Sequence, residues 1–220
     1  MNYNWLQNCK KTKRREKEFL KFLIECGYIV DDNLFIGEKN DDLYKVDILQ
    51  KSDIGTIPWG EIKFQDSVFS EGDMLRDYGV DANNTFLINK IQMLRYFDEV
   101  ENGHDFRLMI VHLWPDLSAD KFKKCQSFSD KQTVSMERPP ITIKRQVKML
   151  TTGVKFLKKL WNQRKLKSFS LPIHAVQAKH QRPADEIELV HLTTQHFVTV
   201  NLLSHWISLP EERQKMMLKQ

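Results

Sequence analysis

Glu61, Ile62 and Lys63 form the chain's single acid-x-Lys triplet, and Asp47 precedes them by fourteen residues. In an extended strand, successive side chains point to opposite faces. Glu61 and Lys63 then share one face and Ile62 turns to the other. Asp47 sits between Val46 and Ile48 in the same alternation. If the two segments pair as neighbouring strands, Asp47, Glu61 and Lys63 converge, and two carboxylates so placed repel unless a cation lies between them. Mg²⁺ suits the position, being a hard ion that takes oxygen ligands and commonly uses one or two carboxylates while keeping several waters. Mn²⁺ is the expected substitute. The backbone carbonyl of Ile62 offers a third protein oxygen. An ion held there makes water a better nucleophile and neutralises charge that develops on a phosphate under attack. Lys63 has two readings, as holder or activator of the attacking water and as a cation that stabilises the charged transition state. The chemistry implied is metal-dependent hydrolysis of a phosphodiester.

These residues need a scaffold, and the hydrophobic pattern predicts one. Apolar residues spaced by three and four predict a helix over 15–26, stopped by Gly27. Strands are predicted over 28–36, 43–50 and 57–64, the last two antiparallel, with turn residues around Gly55. A helix over 71–78, a short strand over 85–88, a helix over 90–100 and a strand over 106–114 follow. This order predicts an α/β fold with a central mixed sheet flanked by helices. The 118–136 stretch is polar, and Pro139-Pro140 punctuates the chain. Beyond it, the pattern predicts a basic helix over 147–165, a strand-like or helical segment over 189–203 and a terminal helix over 211–220.

The element order and the pair Asp47 and Glu61-Ile62-Lys63 resemble the PD-(D/E)XK nuclease superfamily, the restriction-endonuclease-like fold. The likeness covers roughly residues 15–114, although Val46 stands where that family's name-giving proline would be. The resemblance implies a Mg²⁺-dependent nuclease, most plainly a DNA endonuclease, with Asp47 and Glu61 as metal ligands. It also implies a contribution from an acid on the first helix about eleven residues before a Gly-Tyr pair. Glu16 holds that place relative to Gly27-Tyr28, on the helical face of Leu20 and Leu23. Arg76 and Tyr78 fall on the helix where such nucleases often place residues facing the phosphate. The division expected is a nuclease core over 1–117, a linker over 118–140 and a basic C-terminal region over 141–220.

Charge is segregated along the chain. The net charge is +5, yet residues 31–120 hold 19 acids against 8 bases, whereas residues 138–184 hold 12 bases and no acid. An acidic centre flanked by cationic segments suits a carboxylate site with separate surfaces for a polyanion. Lys144, Arg145, Lys155, Lys158, Lys159, Arg164 and Lys165 are the expected nucleic-acid contacts, several of them beside an apolar stripe of Phe156, Leu157, Leu160 and Trp161. A membrane-surface or partner-binding helix is the other reading of such a segment. DNA is favoured over RNA as partner, and a homodimer or a protein partner held by the C-terminal region is allowed.

Several classes are excluded or disfavoured. No apolar run reaches the roughly 18 residues of a membrane span, and residues 1–17 are polar and basic, so an intracellular address is expected. Three scattered cysteines form no C-x-x-C pair, and the histidines show no zinc-ligand spacing. His112, on the last strand of the core, is the histidine best placed to approach the site. A non-catalytic DNA-binding or assembly protein that retains the nuclease fold is the alternative function.

Overall fold

A computed structural model describes residues 5–37, 46–53, 55–65, 85–114, 146–172 and 186–218. The first helix, α1 (Trp5–Glu25), begins earlier than predicted and buries Phe19, Phe22 and Leu23 almost completely. Each such side chain contributes about 1.5–3 kcal/mol when removed from water. Gly27 ends the helix at φ +73°, its N–H donating to the Ile24 carbonyl at 2.9 Å. Glycine takes this left-handed cap without a Cβ penalty.

The chain then lays down β1 (Leu34–Ile36), β2 (Ile48–Ser52) and β3 (Gly55–Gln65), each antiparallel to the last. β1 is shorter than predicted. The helix expected over 71–78, with Arg76 and Tyr78, lies outside the described residues. After it come β4 (Thr85–Asn89), α2 (Lys90–Glu101) and β5 (Arg107–Trp114), as the pattern predicts. Asn89 caps α2 by accepting from the Ile91 N–H at 2.8 Å. β5 runs parallel to β3, and parallel neighbours require a crossover, which here carries β4 and α2.

Residues 147–165 are not one helix. They form β6 (Gln146–Gly153) and α3 (Val154–Asn162). Val147 and Met149 pack to one side of the sheet and Leu150 to the other, a period of two that forms a strand. β7 (Lys167–Pro172), β8 (Glu186–Thr193), a short 3-10 turn and β9 (Val198–Asn201) follow, then α4 (Leu203–Ser208) and α5 (Glu211–Met217).

The central sheet has the order β1-β2-β3-β5-β6-β9, and a second sheet has the order β4-β8-β7. The fold is α/β with a mixed central sheet flanked by helices. β6 and β9 belong to that central sheet, so residues beyond 141 complete the core rather than form a sheet of their own. The predicted linker over 118–140 lies outside the described residues. One apolar cluster joins α1, α4 and α5 to the face bearing Ile62, Val111 and Met149. The other joins α2, α3 and the second sheet to the face bearing Leu108, Ile110 and Leu150. No helix among the described residues is long and apolar enough to cross a membrane.

Candidate active site

Asp47 and Glu61 are buried where β2 and β3 come together. The pairing is irregular here, because Ile48 opposes Gly60 while Leu49 opposes Pro58. A bulge of this kind redirects a side chain and also tolerates the strand proline. Simple alternation would put Val46 and Ile48 on one face. They pack instead into opposite clusters, and Asp47 lies at the crossing. Gly60 lets three strands approach, since a Cβ there would meet Met109 Cε at 2.8 Å.

The two carboxylates are cross-linked through the backbone. The Asp47 N–H donates to Glu61 Oε2 at 3.1 Å, and the Ile62 N–H donates to Asp47 Oδ2 at 3.0 Å. Lys63 donates to Glu61 Oε1 as an ion pair. The Tyr96 hydroxyl donates to the same oxygen at 2.7 Å and the Gln92 amide at 3.4 Å. Asp47, Glu61, Ile62 and Lys63 are thus brought together. Glu61 and Lys63 lie opposite Leu108 and Ile110 on the α2 side, and Ile62 faces α1.

Burial raises the proton affinity of Glu61, with repulsion from Asp47 adding to it and Lys63 and Tyr96 opposing. The Tyr96 hydroxyl is pushed well above its ordinary value of 10.0 by burial and by the charge of Glu61. A raised carboxylate pKa means that the unfolded chain ionises first. Glu61 therefore contributes stability below its ordinary value of 4.5 that is lost as pH rises through its raised value. Across that window, the difference in unfolding free energy between wild type and Glu61→Gln should move in favour of the variant. Urea titrations at a series of pH values test this, and a pH-independent difference would contradict it.

Among the described residues, no group of three or more His, Cys, Asp and Glu side chains gathers. Two buried carboxylates alone form an all-oxygen donor pair, which fits a hard divalent ion that keeps most of its waters.

No protein-family model matches the chain, and no curated protein matches it. Among solved structures, that of a nuclease from a fusselovirus is similar with a TM-score of 0.37 and 12% identity, covering 90% of this chain and 82% of that one. So distant a likeness fixes neither a family nor a chemistry.

The remaining expected residues fall elsewhere. Glu16 is buried on α1, the helix that covers the face opposite Glu61 and Lys63. Lys144 and Arg145 lie outside the described residues. Lys155, Lys159, Arg164 and Lys165 are exposed on α3 and its C-terminal turn. Lys158 is held inward, donating to the Phe97 carbonyl at 3.0 Å and pairing with Glu101, so its ammonium ties α3 to α2. Sequence reasoning missed Gln92 and Tyr96. Their signal is a polar pair four apart on α2, on the same side of the helix as buried Met93.

Proposed function

We propose that the chain is a Mg²⁺-dependent nuclease of the PD-(D/E)XK type that hydrolyses phosphodiester bonds, with DNA as its substrate. The observation that carries this reading is the buried Asp47–Glu61 pair, cross-linked between adjacent strands with Lys63 beside it. The connectivity supports it too, since a helix, three antiparallel strands and a helical crossover to a parallel strand put that pair on the second and third strands.

In this reading, Asp47, Glu61 and the Ile62 carbonyl hold the ion. When bound, it activates water and offsets the charge that builds on the phosphate. Tyr96 and Gln92 orient Glu61 by donating to Oε1. Lys63, about one-third exposed, turns its N–H groups toward a non-bridging phosphate oxygen and stabilises the transition state by charge. Glu16 is assigned a supporting role on α1. Lys155, Lys159, Arg164 and Lys165, with Lys144 and Arg145, supply phosphate contacts away from the reacting centre.

The test is cleavage of supercoiled DNA, linear duplex, single-stranded DNA and RNA with Mg²⁺, with Mn²⁺ and with chelator. Cutting of DNA that requires the divalent ion is expected. Cutting that persists in chelator would remove the metal from the proposal. One observation favours the second reading, a non-catalytic nucleic-acid-binding or assembly protein: Glu61 already accepts four hydrogen bonds and so is satisfied without a cation. Calorimetric titration separates the two, because that reading requires no Mg²⁺ binding and no change in Glu61→Gln.

A further inference from the structure

Gln65 on β3, His112 on β5 and Lys148 on β6 stand opposite one another across three adjacent strands. They form the row next beyond Lys63, Ile110 and Leu150, one pleat further along the sheet. Val147 and Met149 pack toward α1, and Leu150 packs toward α2. Alternation therefore brings Lys148 out on the α2 side, the face that carries Glu61 and Lys63. His112 is fully buried, its ring edge-on to Phe86 at 5.3 Å.

Lys148 differs from the other half-buried lysines. Lys63, Lys90 and Lys158 each pair with a glutamate. Among the described residues, Lys148 has no carboxylate partner, and the burial that lowers its proton affinity is not offset by one. His112 is pushed down to about 4 by burial and by Lys148, which makes it a neutral wall at physiological pH. A half-buried ammonium is costly unless an anion meets it. Here it lies in a polar row continuous with the candidate site.

We propose that Lys148 is a substrate-binding residue whose ammonium takes a backbone phosphate of a nucleic-acid strand lying across β3, β5 and β6. The location of the reacting phosphate at Lys63 rests on the nuclease reading. Lys148 lies two strands over and one pleat along from Lys63, which is about 10 Å by about 7 Å, or about 12 Å in all. At about 3.4 Å of axial rise per phosphate on one strand of a duplex, that is three or four nucleotides from the cut.

The experiment uses the full chain carrying Lys63→Ala, without divalent ions, and measures fluorescence anisotropy with a labelled DNA duplex over a range of salt. Adding Lys148→Gln should weaken binding about tenfold at low salt and lower the log–log salt slope by about 0.7 to 0.9, the loss of one phosphate contact. Lys148→Arg should retain most of both. In the otherwise unchanged chain, Lys148→Gln should raise KM with kcat kept. A methylphosphonate three or four nucleotides from the cut should weaken wild type and leave Lys148→Gln unaffected. Lys148→Met, with a thermal melt, guards against a folding defect in the glutamine variant. An unchanged slope in folded Lys148 variants of a chain that cleaves DNA overturns the proposal alone. A chain that neither binds nor cuts nucleic acid overturns it together with the nuclease reading.

Discussion

Replacing Lys63 by alanine should lower the rate of Mg²⁺-dependent DNA cleavage by about 10²- to 10³-fold, the scale expected when one preorganised donor to a developing oxyanion is removed. The variant should still fold. Lys63 is about one-third exposed, so solvent screens its pair with Glu61 and the stability lost is about 1 kcal/mol or less. The electrostatic consequence at the site is larger, because Lys63 is the main charge opposing the upward shift of Glu61. Without it, Glu61 holds its proton to higher pH, and the rate lost in Lys63→Ala should be partly recovered as pH is raised. Lys63→Arg keeps the charge but presents a wider, planar group, so it should fall between alanine and wild type. Asp47→Asn should be about as damaging as Lys63→Ala, and the double variant little worse than either, since residues acting as a unit are not additive. Single-turnover rates against pH check the set. Cleavage at wild-type rates by both single variants would remove these residues from the catalytic centre.

How much of this was legible in the sequence differs from residue to residue. Period-two alternation gives β2 and β3 and puts Glu61 and Lys63 on one face, because both strands have an apolar side that must be buried. It does not give the position of Asp47, which depends on the bulge between Ile48 and Leu49 and on the close approach allowed by Gly60. Gln92 and Tyr96 were hidden for a related reason. A polar pair on a helix looks solvated until the helix is known to lie across Glu61. The segment after Pro140 misled through composition. Seven of residues 144–165 are lysine or arginine beside Lys148, so a single amphipathic helix was the economical reading. Val147, Met149 and Leu150 form a strand because β5 lies ready to pair with them, and no count within the segment reveals that partner.

The same pairing makes the second large prediction: a chain ending at residue 140 should not unfold cooperatively. Such a truncation removes β6 and leaves β5, which pairs with it from Arg107 to Trp114, as an exposed apolar edge. It also removes Trp206, which is fully buried and packs edge-on against Phe22 at 6.3 Å. The clamp on α1 would go as well, since Arg213 bonds Glu18 and also Glu25 at 2.8 Å, while Arg15 donates to the Met217 carbonyl. Point substitutions give the graded version of this loss. Trp206→Ala should cost about 3–5 kcal/mol, the range for emptying a large aromatic site. That is a large share of the about 5–15 kcal/mol that holds a typical domain together. Trp206→Phe should cost far less, because it keeps the ring contact with Phe22 and discards an indole N–H that has no hydrogen-bond partner among the described residues. Urea unfolding of the two variants, with circular dichroism and hydrogen exchange on the 1–140 fragment, decides the matter. A fragment with a sharp unfolding transition and protected amides in β3 and β5 would show that the candidate site stands without the C-terminal third. An unfolded fragment, with Trp206→Ala far below Trp206→Phe, would show that the strands bearing Glu61 and Lys63 depend on helices that arrive last in the sequence.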